Sequence, residues 1–361
     1  MSAKCKIGSK FYNLNSLKPY DSHKLVKYIE DEESGLRGII AIHRTNGKHP
    51  SFGATRMWEY AKDEDALKDA LRLSKLMTYK SAMAGLDCGG AKGVIMHNPE
   101  GNGDKASILK AYAQKVNELE GMFVTGTDVG LTQKDILGLQ KDSPYFVGLR
   151  VNPTLYTAYG VLEAIQTALD HVYNSRKLSK RSFAIQGIGK IGTKLLDLLY
   201  SEAKEIFVTD IDMRRLRAIK QKYPRVTVVD VDEIHSQEVD IFSPCALGLA
   251  INEDNISEIK AKLIIGGANN QLESPEIGQK LAEMGILYVP DYVANAGGLI
   301  SVVSEYYNKD IEPDELMGSI CKIGDRTNEI LKKNLKTETP TNIIADRLAR
   351  KATKSYEKAE A

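Results

Sequence analysis

The chain has 361 residues, more than one ordinary hydrophobic core organises, so about two domains are expected. With 42% hydrophobic and 27% charged residues it reads as globular, and a net charge of +1 leaves no electrostatic footprint for a nucleic-acid partner. No apolar run is long enough to span a membrane, the first ten residues lack the apolar stretch of a secretory signal, and the four cysteines have no disulfide or zinc spacing; a reduced, cytoplasmic protein without a metal is the expectation.

In chain order, residues 37–43 read as a buried strand, short, apolar and bounded by glycine. A helix follows, with Asp63 as its N-cap, Glu64 and Asp65 in the positive first turn, and Ala66, Leu67, Ala70, Leu71, Ser74 and Met77 at helical spacing. It delivers Lys80 just past its C-terminal end. Val94–Met96 is expected as a short strand, 105–119 as a helix and Met122–Thr125 as a strand, so the first half mixes strands and helices. After a helix at about 154–173 the rhythm changes. Apolar strands are expected at 182–186, 205–209, 226–230, 240–244, 262–266 and 286–290, close to twenty residues apart. That cadence is the mark of βαβ units and a parallel sheet. From about 312 onward the chain reads as helical.

Two features of this α/β chain carry chemistry. The first is the stretch from Met77 to Gly93, in which Lys80 and Lys92 frame small residues and a Gly-Gly-Ala turn. Glycine lets a ligand approach the backbone closely. Two converging ammonium groups suit an anionic substrate, and each disfavours the charged form of the other, which moves a lysine toward general-base work. By itself such a pair is more often two solvated lysines. Asp128, in the glycine-flanked turn Gly126-Thr-Asp-Val-Gly130, is placed to exchange protons with an amine; an Asx-turn or helix-cap role before Thr132 is an equal alternative.

The second feature is Gly187-Ile188-Gly189-Lys190-Ile191-Gly192, a GxGxxG that follows an expected strand and opens an expected helix. Asp210, with Ile211 after it, ends the next strand 23 residues after Gly187. That context specifies a dinucleotide fingerprint: glycines admit the pyrophosphate, the helix N-terminus favours its charge, and the acid bonds the ribose hydroxyls. Asp210 selects NAD over NADP, although Arg214 and Arg215 lie close by. A SAM-dependent methyltransferase is the rival reading; the third glycine and the six-strand cadence favour the dinucleotide.

Nine ordered motifs, among them Gly53-Ala-Thr-Arg-Met-Trp58, Met77-Thr-Tyr-Lys80, Gly89-Gly-Ala-Lys92, Thr127-Asp-Val-Gly130 and Pro290-Asp-Tyr-Val-Ala-Asn295, give the chain a resemblance to the glutamate/leucine/phenylalanine/valine dehydrogenases along essentially its full length, closest to the leucine branch. The resemblance implies two domains flanking a cleft: a substrate-binding and oligomerisation domain over 1–150 and a Rossmann-type NAD-binding domain over 151–335, with a tail at about 336–361 packing back on the first. It implies NAD-dependent, reversible oxidative deamination of a branched-chain L-amino acid to the 2-oxo acid and ammonia. It also implies a homo-oligomer, from dimer to octamer. Lys80, with Asn270, would bind the substrate carboxylate, Lys92 would be the general base toward water, and Asp128 would shuttle amine protons. Phe52, Gly53, Met77, Gly126, Leu299 and Val302 would line the substrate. Asn295 would hold the nicotinamide, with Asn269 beside it and Cys245-Ala246-Leu247 flanking the cofactor. Phe52 and Gly126 depart from the leucine and alanine usual in that branch and keep an aromatic substrate, phenylalanine or tryptophan, in view. The segment 148–153 is shorter than usual, which leaves a non-catalytic NAD-binding protein as a further alternative.

Overall fold

The computed structural model describes residues 3–98, 104–246 and 248–358. The chain forms two compact units. The first comprises Met1–Val151, Glu305–Lys309 and Ala349–Ala361; the second comprises Asn152–Ser304 and Asp310–Leu348.

In the first unit a small hairpin, β1 (Lys4–Ile7) and β2 (Lys10–Asn13), precedes a mixed sheet of β3 (Leu25–Asp31), β4 (Leu36–Arg44), β5 (Ser51–Phe52), β6 (Thr55–Trp58), β7 (Gly89–Met96) and β8 (Phe123–Val124). The strand order is β3-β4-β7-β5-β8, and β6 also pairs with β7. On its side of β7, the paired strand is broken at Gly53–Ala54: β5 meets Gly89 and Gly90, and β6 resumes at Gly93. The pleat sends alternate residues to opposite faces. Ile40, Ile42, Ala91 and Ile95 join one core with α2 (Lys105–Asn117) and α3 (Gln133–Leu139). Ile39, Ala41 and Val94 join another with α1 (Asp63–Met83).

Several expectations need correction here. The Gly-Gly-Ala segment is not a turn but the first half of β7, an eight-residue buried strand. Its glycines answer crowding: a Cβ on Gly90 would lie 1.9 Å from the Thr78 amide nitrogen on α1, and one on Gly89 would lie 1.8 Å from the Arg44 carbonyl oxygen. The N-cap of α1 is Lys62, so Asp63 is its first helical residue, and Lys80 lies within the last turn rather than beyond it.

The second unit opens with α4 (Pro153–Tyr173), which is capped by Asn152. Its sheet contains β9 (Ser182–Gln186), β10 (Glu205–Thr209), β11 (Thr227–Val228), β12 (Ile241–Pro244), β13 (Leu263–Ile264) and β14 (Leu287–Tyr288), all parallel, in the order β11-β10-β9-β12-β13-β14. This is the doubly wound dinucleotide-binding order, whose switch point lies between β9 and β12. All six expected strands are present, and β11, β13 and β14 are shorter than read. Between them run α5 (Lys190–Leu199), α6 (Met213–Lys222) and α7 (Pro275–Glu283), followed by α8 (Asp291–Ala294), α9 (Gly297–Tyr307), α10 (Pro313–Thr337) and α11 (Thr341–Lys358). Only the end of α11, from Ala349, belongs with the first unit, where the Tyr356 hydroxyl donates to the Leu86 carbonyl. Residues 336–348 stay with the second unit. There the Tyr292 hydroxyl donates to Asp346 and the Thr341 hydroxyl to the Tyr288 carbonyl.

Candidate active site

Lys92 is fixed by β7, where it lies opposite Ala41 of β4. Its even position places it on the sheet face that α1 covers, together with Val94. Arg56 of β6, paired in register with Val94, shares that face. Asp128 follows Thr127, which bridges to Thr55, and so comes up beside both. The Lys92 ammonium donates to Asp128 Oδ2 at 2.6 Å, and Arg56 Nε donates to the same oxygen at 3.0 Å. Arg56 extends its other arm to Asp69 on α1 at 2.9 Å, and Asp69 is held in turn by the Tyr60 hydroxyl and by Arg72, each at 2.8 Å.

Lys92 is 5% exposed. Burial draws its ammonium below the ordinary lysine range; Asp128 opposes this, and the Arg56 cation adds to it. Burial alone would raise Asp128, but Lys92 and Arg56 outweigh it and hold the carboxyl well below the usual carboxylate range. Arg56 is thus a cation acting on Lys92 that the lysine pair did not suggest. Arg56 and Asp69 were missed in sequence, although the pleat parity of Arg56 with Lys92 was the signal that could have found them. Thr132, not Asp128, caps α3, in a reciprocal box with Asp135, while the Asp128 carboxylate takes the Val129 amide as well as the two cations.

The other expected substrate residues of the first unit are spread around this pair. Lys80 and Met77 lie on the last turns of α1, where the backbone of Met77 and Thr78 packs against Gly90. Gly53 occupies the break between β5 and β6, where a Cβ would lie 2.0 Å from the Ala91 carbonyl oxygen. Phe52 is fully buried, its ring edge-on to Tyr306 at 5.4 Å. A Cβ on Gly126 would meet only the Val147 backbone, with the carbonyl oxygen at 3.1 Å.

In the second unit the glycine-rich turn joins β9 to α5. Gly187 has φ +92°, a Cβ on Gly192 would lie 1.9 Å from the Gly187 carbonyl oxygen, and one on Gly189 would meet nothing within 4 Å. Gly189 is also the N-cap of α5 and offers no side-chain cap, so open space lies before a helix N-terminus. These features fit a dinucleotide pyrophosphate. Ile188 is buried, while Lys190 and Ile191 begin the helix. Asp210 is also engaged within the protein: its carboxylate accepts the Ile188 and Asp212 amides, both at 2.8 Å, while Ile211 is 86% exposed.

Ala246 packs against Gly187, and the Cys245 amide donates to the Gln186 carbonyl. Leu247 lies outside the described residues. Asn295 donates to Asn269 Oδ1 at 2.9 Å, and no described group answers its buried Oδ1, which suits it to a carboxamide such as that of nicotinamide. Asn270 sits at φ +53° and accepts the Leu249 amide at its carbonyl. Leu299 is buried and Val302 half-buried on α9. No group of three or more His, Cys, Asp or Glu among the described residues is disposed to hold a metal, and no described helix is long and apolar enough to cross a membrane.

Residues 151–343 match the Glutamate/Leucine/Phenylalanine/Valine dehydrogenase family model, and residues 23–143 match the dimerisation domain of the same group. The chain is 38% identical over 340 residues to the leucine dehydrogenase of Bacillus subtilis, covering 92% of each. It is 41% identical over 325 residues to the phenylalanine dehydrogenase of Bacillus thermotolerans, covering 86% of this chain and 83% of the relative. The crystal structure of L-tryptophan dehydrogenase from Nostoc punctiforme superposes with a TM-score of 0.80 at 37% identity, covering 93% and 97%. The chain belongs to the glutamate/leucine/phenylalanine/valine dehydrogenase family, oxidoreductases that act on amino acids with NAD(P).

Proposed function

We propose that this amino-acid dehydrogenase carries out NAD-dependent, reversible oxidative deamination of an apolar L-amino acid, with leucine, valine and isoleucine as the first substrates to consider. The pair of buried Lys92 and half-buried Asp128 carries the reading: a lysine this enclosed and drawn toward its neutral form is placed as a base rather than as a surface charge. The glycine-rich turn supports the dinucleotide, and Asp210 supports NAD, because a 2′-phosphate would meet its carboxylate.

Bound at that turn, NAD supplies the acceptor for the hydride that leaves the substrate Cα. The rest falls to the chain. Lys80 meets the substrate carboxylate as an ammonium. Asp128 accepts a hydrogen bond from the substrate amine and, once Lys92 has lost its proton, takes an amine proton as the imine forms. Neutral Lys92 then removes a proton from water as its oxygen bonds to the imine carbon. Asp128 returns its proton to the carbinolamine nitrogen, the C–N bond breaks with ammonia leaving, and the freed Asp128 carboxylate takes the hydroxyl proton as the carbonyl of the 2-oxo acid forms. The enclosed position of Lys92 keeps bulk water from stabilising its charged form.

A second reading, an aromatic substrate, is favoured by Gly126, which contributes no side chain, and by relatives that act on phenylalanine and tryptophan. The deciding experiment follows NADH formation with purified protein, NAD and each of the twenty L-amino acids at alkaline pH. A branched-chain signal supports the first reading, and a signal confined to aromatic substrates supports the second. Lys92→Ala should abolish turnover while leaving NADH binding intact; near-normal turnover in that variant would remove the base.

A further inference from the structure

Asp128 Oδ2 receives two cations, and they are unlike. Lys92 reaches it at 2.6 Å and Arg56 at 3.0 Å. Lysine gives up its proton; arginine keeps its own in any protein environment. The cycle proposed above passes through a state in which Lys92 is neutral. If Lys92 were the only cation on Asp128, that state would leave a half-buried carboxylate with no opposite charge beside it. Such a carboxylate draws a proton to itself, and a protonated Asp128 could not receive the amine proton. Arg56 removes the difficulty, because its charge stays beside Asp128 whichever form Lys92 takes.

The guanidinium is itself fixed. Its second arm lies on Asp69, which α1 carries and which Tyr60 and Arg72 hold on two further bonds. A planar fork that bonds carboxylates from two different elements is an arrangement lysine cannot reproduce. Charged groups that act on Lys92 include Asp128 from the turn after β8, Arg56 from β6 and Asp69 from α1, and Tyr60 and Arg72 in turn bond Asp69.

We propose that Arg56 is a positioning residue of the catalytic pair, holding Asp128 as an oriented carboxylate while Lys92 is neutral and helping Lys92 to give up its proton. The proposal rests on the assignment of Lys92 as base, and the two fail separately: an active Lys92→Ala enzyme ends the assignment, whatever Arg56 does.

The test is the pH profile of kcat/KM for the best amino-acid substrate. Its acidic limb, where activity rises as the pair loses its proton, is the readout. In Arg56→Gln the limb should move to higher pH by about one unit, because a cation next to the pair has gone. Activity should fall about tenfold below the limb and recover in part above it. NADH binding, measured by fluorescence, should not change. A limb at the wild-type pH with a loss equal at every pH would show a merely structural role and overturn the proposal. Arg56→Lys supplies a second test, decisive if the glutamine variant does not fold. It keeps the charge and loses the fork, so the limb should stay in place while kcat drops. An Arg56→Lys enzyme with wild-type kcat and wild-type limb would equally overturn the proposal.

Discussion

Gly189 and Gly192 lie three residues apart in one turn, yet a methyl group would be received differently at each. At Gly192 the added Cβ would press on the Gly187 carbonyl oxygen at 1.9 Å, and that oxygen belongs to backbone that cannot swing aside. At Gly189 nothing lies within 4 Å, and φ is negative, so a side chain is sterically free there in the unliganded protein. The motif reading treats the glycines alike; the structure separates one needed for packing from one needed for approach. Gly189→Val should melt within about 1 °C of wild type while losing at least about tenfold in NADH affinity, because its side chain fills the space before the helix N-terminus. Gly192→Ala should lose about 2 kcal/mol or more of stability through overpacking. Thermal unfolding and NADH titration of the two variants separate these roles, and a Gly189→Val protein with wild-type NADH affinity would contradict the placement of the pyrophosphate.

The segment after β8 shows what an element owes to contacts distant in sequence. Val147 and Tyr145 pair with Thr125, and the next residues turn so that the amides of Gly148, Leu149 and Val151 all donate to the carboxylate of Glu305, at 3.1, 3.4 and 3.2 Å. Glu305 is 4% exposed and belongs to the same unit as those amides. The shortness of this segment was legible in the sequence, but its shape was not, because the acceptor lies more than 150 residues away. Truncation to Glu305→Ala would leave three amides without an acceptor, a cost of about 2–4 kcal/mol if water does not replace it. Urea denaturation should show that loss, and a change under about 0.5 kcal/mol would show that the clamp is not needed. The same physics limited the reading of β7. Glycine pairs signal turns in a single sequence, and only the approach of α1 and of the Arg44 carbonyl explains why Gly89 and Gly90 lie in a strand. The strands of the second unit were legible because a parallel sheet buried on both faces demands continuous apolar runs. Their lateral order was not, since it depends on which neighbours pair.

At the scale of the whole molecule, acid should bear on the first unit through a buried cluster that has no part in the proposed chemistry. His23 is 8% exposed, accepts the Asp21 amide at Nδ1 and lies 3.0 Å from the Leu71 carbonyl at Nε2, so it is the neutral ring that fits. His43 stands edge-on to it at 4.8 Å, with Thr78 at 2.9 Å and Asp21 at 3.4 Å. Burial, helped by the His43 and Arg44 charges, brings His23 down to about 3, and burial lowers His43 as well. The sign follows from linkage. Unfolded histidine takes a proton near pH 6.5, whereas folded His23 resists until about pH 3. The stability this neutral ring contributes is therefore complete above pH 6.5 and is lost progressively as pH falls toward 3, about 3 kcal/mol of it by pH 4.5. Asp21 has the same sign over a lower range, because its bonds to His43 and Lys75 hold it ionised and protonation loses them. The single tryptophan, Trp58, lies in this unit on β6 and reports its unfolding. Urea midpoints followed by Trp58 fluorescence should decline steadily from pH 6.5 to 4.5. In His23→Gln, whose side chain offers a donor and an acceptor but does not titrate, that decline should be markedly shallower, even though the variant starts less stable at pH 7. An equal slope in the two proteins would assign the acid sensitivity to carboxylates elsewhere in the fold.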